Sequence, residues 1–144
     1  MDLFEEIKND HEKQRTLCDL LIKTNGASDG RKELYERLKR ELQTHADAEE
    51  RYFYRPLFKY DNTQDQARHS VAEHQEMDEL MEELDNTDMS SPGWLATAKK
   101  LKEKIIHHLD EEEEDVFSLA DQSLDDAKMN ALARDYRSMM DSER

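Results

Sequence analysis

Four of the six histidines in this 144-residue chain fall on helical apolar stripes that should face a protein core, and two glutamates fall there with them. His11, His45, His74 and His108 are those histidines, and Glu49 and Glu112 are the carboxylates. An ionised carboxylate in an apolar interior is too costly to stand alone, so something positive should lie beside each. His45 and Glu49 are four residues apart, as are His108 and Glu112, so one helical face presents both members of each pair. His107 and Glu111 share that spacing, but their stripe runs back through Lys104 and Lys100. The His108 and Glu112 stripe instead runs through Leu101, Ile105 and Val116, so the candidate site is placed there. Neutral imidazoles and carboxylates together are the ligands of a metal ion with nitrogen and oxygen preference.

The elements that must hold these residues can be read from apolar spacing. Phe4, Ile7, His11, Cys18 and Leu21 predict a helix over residues 2–25, stopped by Asn25 and Gly26. Leu34, Leu38, Leu42, His45, Glu49 and Phe53 predict a second over 31–58. Ala67, Val71, His74, Met77, Met81 and Leu84 mark a third, closed by Asp85, Asn86 and Thr87. Ser91 and Pro92 read as an N-cap and first helical residue, launching a fourth through Leu101, Ile105, Val116 and Leu119 to about Asp121. Ser123, followed by Asp126, predicts a cap for a shorter fifth helix carrying Leu124, Met129, Leu132, Tyr136 and Met140.

Counting from the connections sets the heights. His11 to Asn25 and Arg31 to His45 each span 14 residues; Glu49 to Lys59 and Gln64 to His74 each span 10; His74 to Asp88 and Trp94 to His108 each span 14. In an up-down-up-down bundle these counts put all four histidines at one level. The chain also repeats at an offset of 63: His11 maps to His74, His45 to His108 and Glu49 to Glu112, with Leu38 on Leu101 and Leu42 on Ile105. Two related helical hairpins about a pseudo-two-fold axis are the expectation. Each metal would take two imidazoles and share both glutamates, with positions left open. Mixed nitrogen and oxygen ligands with vacancies favour redox-active iron over zinc, whose closed structural sites often use cysteine, or manganese.

Asp10-His11, His45-Ala46-Asp47-Ala48-Glu49-Glu50 with Pro56, Glu73-His74, and His108-Leu109-Asp110-Glu111-Glu112-Glu113 with Phe117 resemble the hemerythrin-like HHE cation-binding domains. The resemblance covers residues 1–120. It implies two iron ions in a carboxylate-bridged non-haem centre with an oxo or hydroxo bridge. It also implies a small oxidant or diatomic ligand, O2, peroxide or NO, as the partner. Ser70 stands where oxygen-carrying members have the first histidine of HxxxH, and Glu112 replaces their HxxxxD aspartate. This pattern resembles a variant with two histidines per iron, and reversible carriage, sensing and peroxidase-like or oxidase-like turnover all stay open. A sensor or interaction module, and a metal-free bundle whose polar layer fixes register, are the other classes. The paired ExxH motif of ferritin-like bundles does not occur.

Composition bounds these readings. With 40% charged residues, three Gly and two Pro, an all-α chain is expected, forming a four-helix bundle with a short C-terminal fifth helix. It reads as one domain over 1–144, with the metal-binding bundle in 1–120 and the terminal helix in 121–144. Acidic residues outnumber basic ones 36 to 21, giving a net charge of −15, which argues against nucleic acid and anionic membranes as partners. No basic N-terminal segment leads into an apolar run, and the lone Cys18 cannot form an internal disulfide, so a cytoplasmic setting is expected. Cys18 should pack in the core. His69 and His107 should lie at the surface or behind the ligands, Glu50 and Glu113 beside the ligand histidines, and Tyr52 near enough in phase to line the pocket.

Overall fold

The computed structural model describes residues 2–143. Helix α1 (Leu3–Leu21) and helix α2 (Asp29–Glu49) form the first hairpin. Helix α3 (Gln64–Asp85) and helix α4 (Pro92–Glu111) form the second. Helix α2 continues through a π-helical turn, Glu50–Tyr54, into Arg55–Leu57. Helix α4 likewise continues through a π-helical turn, Glu112–Val116, into Phe117–Ser123. Helix α5 (Asp126–Glu143) lies against α1, α2 and the first π turn. The architecture is the expected all-helical up-down-up-down bundle with a fifth helix.

Local chemistry sets the helix starts. Asp2 caps α1 by accepting from the Phe4 amide, Ser28 caps α2 through the Arg31 amide at 3.2 Å, and Ser91 caps α4 through the Trp94 amide at 3.3 Å, with Pro92 following. The predicted cap of the fifth helix is corrected. The Asp125 carboxylate accepts from the Lys128 amide at 2.7 Å, while the Ser123 hydroxyl donates back to the Leu119 carbonyl. A serine inside a closing helical turn finds that carbonyl before it can reach a new helix. Helix α1 also stops at Leu21, four residues short of expectation, and the loop makes its turn at Gly26, whose φ of 57° suits a residue without Cβ.

Two apolar clusters flank a polar layer. Toward the hairpin loops, Leu17, Cys18, Leu38, Met81, Trp94 and Leu101 pack together. Toward the opposite end, Leu3, Ile7, Phe53, Leu57, Phe117 and Met140 do so, and α5 supplies the cover. Each large side chain so buried contributes about 1.5–3 kcal/mol, ample to hold a layer of charged groups between the clusters. The arginine of α2 closes the loop end. Arg31 donates to Thr24 Oγ1 at 2.8 Å, the Thr24 carbonyl at 2.5 Å and the Met89 carbonyl at 2.8 Å, with its guanidinium 4.9 Å from the Trp94 ring. One side chain thus ties both hairpin connections together.

Candidate metal centre

The polar layer is where the six predicted side chains meet. His11, His45, Glu49 and Glu112 form one buried group, and Glu49, His74, His108 and Glu112 form another, the ligand atoms within each lying within 4.8 Å of one another. Both glutamates belong to both groups. His45 Nε2 is 3.2 Å from Glu49 Oε1, and His74 Nε2 is 3.2 Å from the same oxygen. His11 Nε2 is 3.0 Å from Glu112 Oε1, and His108 Nε2 is 3.4 Å from Glu112 Oε2. The histidines of one group thus come from α1 and α2 and those of the other from α3 and α4, following the offset-63 repeat, with Glu49 and Glu112 common to both.

The layer is electrostatically incomplete as a set of protein groups alone. Glu49 and Glu112 are essentially buried, and burial together with the Glu49 charge pushes the Glu112 carboxyl well above the usual carboxylate range. Burial works against ionised Glu49 too, but His45 beside it, with contacts from Glu112 and His11, holds its carboxyl well below that range. Burial disfavours a charged His11 ring, yet the close carboxylates of Glu112, Glu113 and Glu49 outweigh this and raise it well above the ordinary imidazole value. His11 Nε2, His45 Nε2, both oxygens of Glu49 and Glu112 Oε1 have no hydrogen-bond partner. Buried polar atoms are normally satisfied, and these five converge on the two shared-carboxylate positions. The donor set fits a pair of cations with nitrogen and oxygen preference.

Each ring turns Nε2 inward and Nδ1 outward, because an outer oxygen engages Nδ1. Glu113 lies 2.7 Å from His11 Nδ1, Glu73 2.9 Å from His108 Nδ1, and Glu50 3.3 Å from His74 Nδ1. His45 Nδ1 meets the Tyr136 hydroxyl at 2.6 Å, and that hydroxyl donates to Asp10 Oδ2 at 2.6 Å. A carboxylate behind three of the imidazoles, and a carboxylate-bonded tyrosine behind His45, fix ring orientation and would raise basicity toward a metal. Glu50 and Glu113 sit beside the buried histidines His74 and His11, as anticipated. The Tyr136 link was missed, since a tyrosine on the apolar stripe of α5 looks like packing until the helix is docked.

A second correction concerns the pocket-lining tyrosine. Tyr52 is half-buried on the outer cluster, whereas buried Tyr54 donates to Glu112 Oε2. The reason is the π-helical turn. The Arg55 amide bonds to the Glu50 carbonyl five residues back, widening the turn, so Tyr54 shares a face with Glu49 where regular spacing would put Tyr52 or Phe53. The fourth helix repeats the device, with the Phe117 amide bonded to the Glu112 carbonyl. His69 and His107, with side chains 51% and 69% exposed, are surface residues and stay outside the buried groups. Cys18 is buried in the core, where burial pushes its thiol up to about 12.

Helical bundle and buried His/Glu layer together define the class: four-helix proteins whose core is built to hold cations. The profile of the Hemerythrin HHE cation binding domain matches residues 2–120, and the chain belongs to that family. The crystal structure of a hemerythrin HHE cation-binding domain-containing protein from Mycobacterium kansasii superposes with a TM-score of 0.89 at 23% identity. That alignment covers 99% of this chain and 87% of the mycobacterial one, so the likeness extends over α5 and is a likeness of fold. No curated protein matches the sequence. Tyr136 lies beyond the matched family span, in the segment that the solved structure also possesses.

Proposed function

We propose that the chain is a non-haem di-iron protein that binds or reacts with O2 or a related small oxidant, peroxide or NO. The observation that carries this reading is the pair of buried four-residue groups sharing Glu49 and Glu112. In this reading His11 and His45 hold one iron, His74 and His108 hold the other, and Glu49 and Glu112 bridge them. The mixture of imidazole and carboxylate with no cysteine nearby supports iron over zinc. Iron bound there would supply the electrons for binding or reducing the oxidant. The chain's own residues orient the ligands through Glu113, Tyr136, Glu50 and Glu73, exclude water with the Phe4, Phe53 and Phe117 cluster, and hold a proton on Tyr54 facing Glu112.

A cleft of about 550 Å³ between α2 and α3 has His74 in its wall and supports access for a small molecule from that side. No helix among the described residues is long and apolar enough to cross a membrane; the lone, unpaired Cys18 supports placing the site of action in the reducing cytoplasm, with residues 1–144 acting as one domain. Metal analysis of protein produced with iron supplied should return two irons per chain, and a value near zero overturns the proposal. The partnerless buried atoms also support a second reading, in which occupancy is a signal. Filling the layer would stabilise the fold, so melting curves of metal-free and iron-loaded protein should separate. Coincident curves exclude the sensor.

A further inference from the structure

A second set of metal-ligating side chains lies on the outer face of the α3–α4 hairpin. His69 and Glu73 on α3, and His107 and Glu111 on α4, repeat the His-x-x-x-Glu spacing of the buried ligands one helical face away. His69 Nε2 is 2.9 Å from Glu111 Oε1 and 3.5 Å from Glu73 Oε1. His107 Nε2 is 3.2 Å from Glu111 Oε2. Ligand atoms about 2.1 Å from one ion stand roughly 3–4 Å apart, so these separations already match a single cation. The His69, Glu73 and Glu111 ligand atoms lie within 4.8 Å of one another.

We propose that His69, Glu73 and Glu111, with His107 adjoining, form a third, solvent-facing site for one divalent transition-metal ion. Two carboxylates offset the ion's charge, the imidazoles select against calcium and magnesium, and exposure of both rings leaves room for water to complete the coordination. Lys104 is the nearby opposing charge. It pairs with Glu76 and approaches Glu73 only at 3.9 Å, on Oε2, leaving Oε1 toward His69. Oε1 is also the oxygen that meets His108 Nδ1 at 2.9 Å, so the outer site shares an atom with the support of the buried centre. An ion at the surface would therefore reach Glu73 on one side while His108 holds it on the other. The proposal rests on residues outside the six of the di-iron reading.

The test is a Zn²⁺ titration of metal-free protein, with bound metal counted after gel filtration, for the wild type and for His69→Ala/His107→Ala. Both replaced rings are at the surface, so the variant should fold, with a circular dichroism melt as the check. The variant is expected to bind one zinc fewer per chain, and the wild type should show shifted His69 and His107 ring resonances on saturation. Equal stoichiometry in the two proteins overturns the third site and leaves the buried centre untouched. A fall from one ion to none keeps the third site and counts against the buried pair.

Discussion

Replacing Tyr136 by Phe tests whether α5 belongs to the metal centre. The ring is fully buried among the cluster that covers the far end of the bundle, so Phe preserves its packing and removes only the hydroxyl. That hydroxyl makes two contacts of 2.6 Å, donating to buried Asp10 and accepting from the His45 Nδ1–H. A hydrogen bond to a charged partner contributes about 1.5–3 kcal/mol, and a buried donor left without its acceptor costs about 1–3 kcal/mol. Partial relaxation makes the sum less than additive, so a loss of about 2–4 kcal/mol is expected. At roughly 2–4 °C per kcal/mol for a chain near this size, metal-free protein should melt about 4–16 °C lower. His45 also loses the group that orients its ring, so iron affinity measured by chelator competition should fall about 10–100-fold. Tyr35→Phe is the comparator. Its hydroxyl donates to Asp85, a partly exposed carboxylate far from the centre, and it should cost less and leave iron affinity alone. A Tyr136→Phe protein that melts within 2 °C of wild type and binds iron equally well would refute the reasoning.

If the proposed di-iron centre is right, Glu49→Gln removes half of the negative charge shared by the two buried groups, and iron content should drop below one per chain while the helical circular dichroism signal persists; content near two would show that Glu49 does not bridge. Arg31→Ala should cost about 3 kcal/mol in urea unfolding, because three hydrogen bonds joining the two hairpin loops are lost together, and Arg31→Lys should rescue little of it since an ammonium cannot make the forked contact. With its pKa pushed up to about 12, the Cys18 thiol is protonated throughout the neutral range, so alkylation at pH 8 should proceed only as fast as the protein opens. Rapid native-state labelling would contradict its burial.

The layer of six side chains was legible because burying Glu49 and Glu112 is so costly that their position on apolar stripes demands a reason, and because helix lengths in an antiparallel bundle convert sequence distance into height. Three features were not legible, each for a physical reason. Regular 3.6-residue spacing cannot anticipate a π-helical turn, so phase after Glu49 pointed to Tyr52 when the widened turn delivers Tyr54. A helix cap is a competition among nearby polar groups, and Ser123 lost it to Asp125 because its hydroxyl was already engaged by the preceding turn. Tyr136 is the deepest case, since its role depends on where α5 docks, and periodicity shows which face is apolar without showing which neighbour it meets.

The two π-helical turns connect these points to the chemistry. Each begins directly beside a shared carboxylate, at Glu50 after Glu49 and at Glu112 itself, and each changes which later residues face the interior. An unbroken α-helix would continue the ligand stripe from Glu49 into Phe53 and from Glu112 into Val116 with no further polar group. The widened turn in α2 instead adds Tyr54 as a donor to Glu112 Oε2, while the outer face receives Glu50 and Glu113 behind His74 and His11. A π turn sacrifices regular packing and persists only where its surroundings hold it, and here the buried aromatic cluster of Phe53, Tyr54 and Phe117 does so. The same distortion on both hairpins, next to corresponding shared carboxylates, is therefore part of how the sequence shapes the buried polar layer and not an accident of either helix.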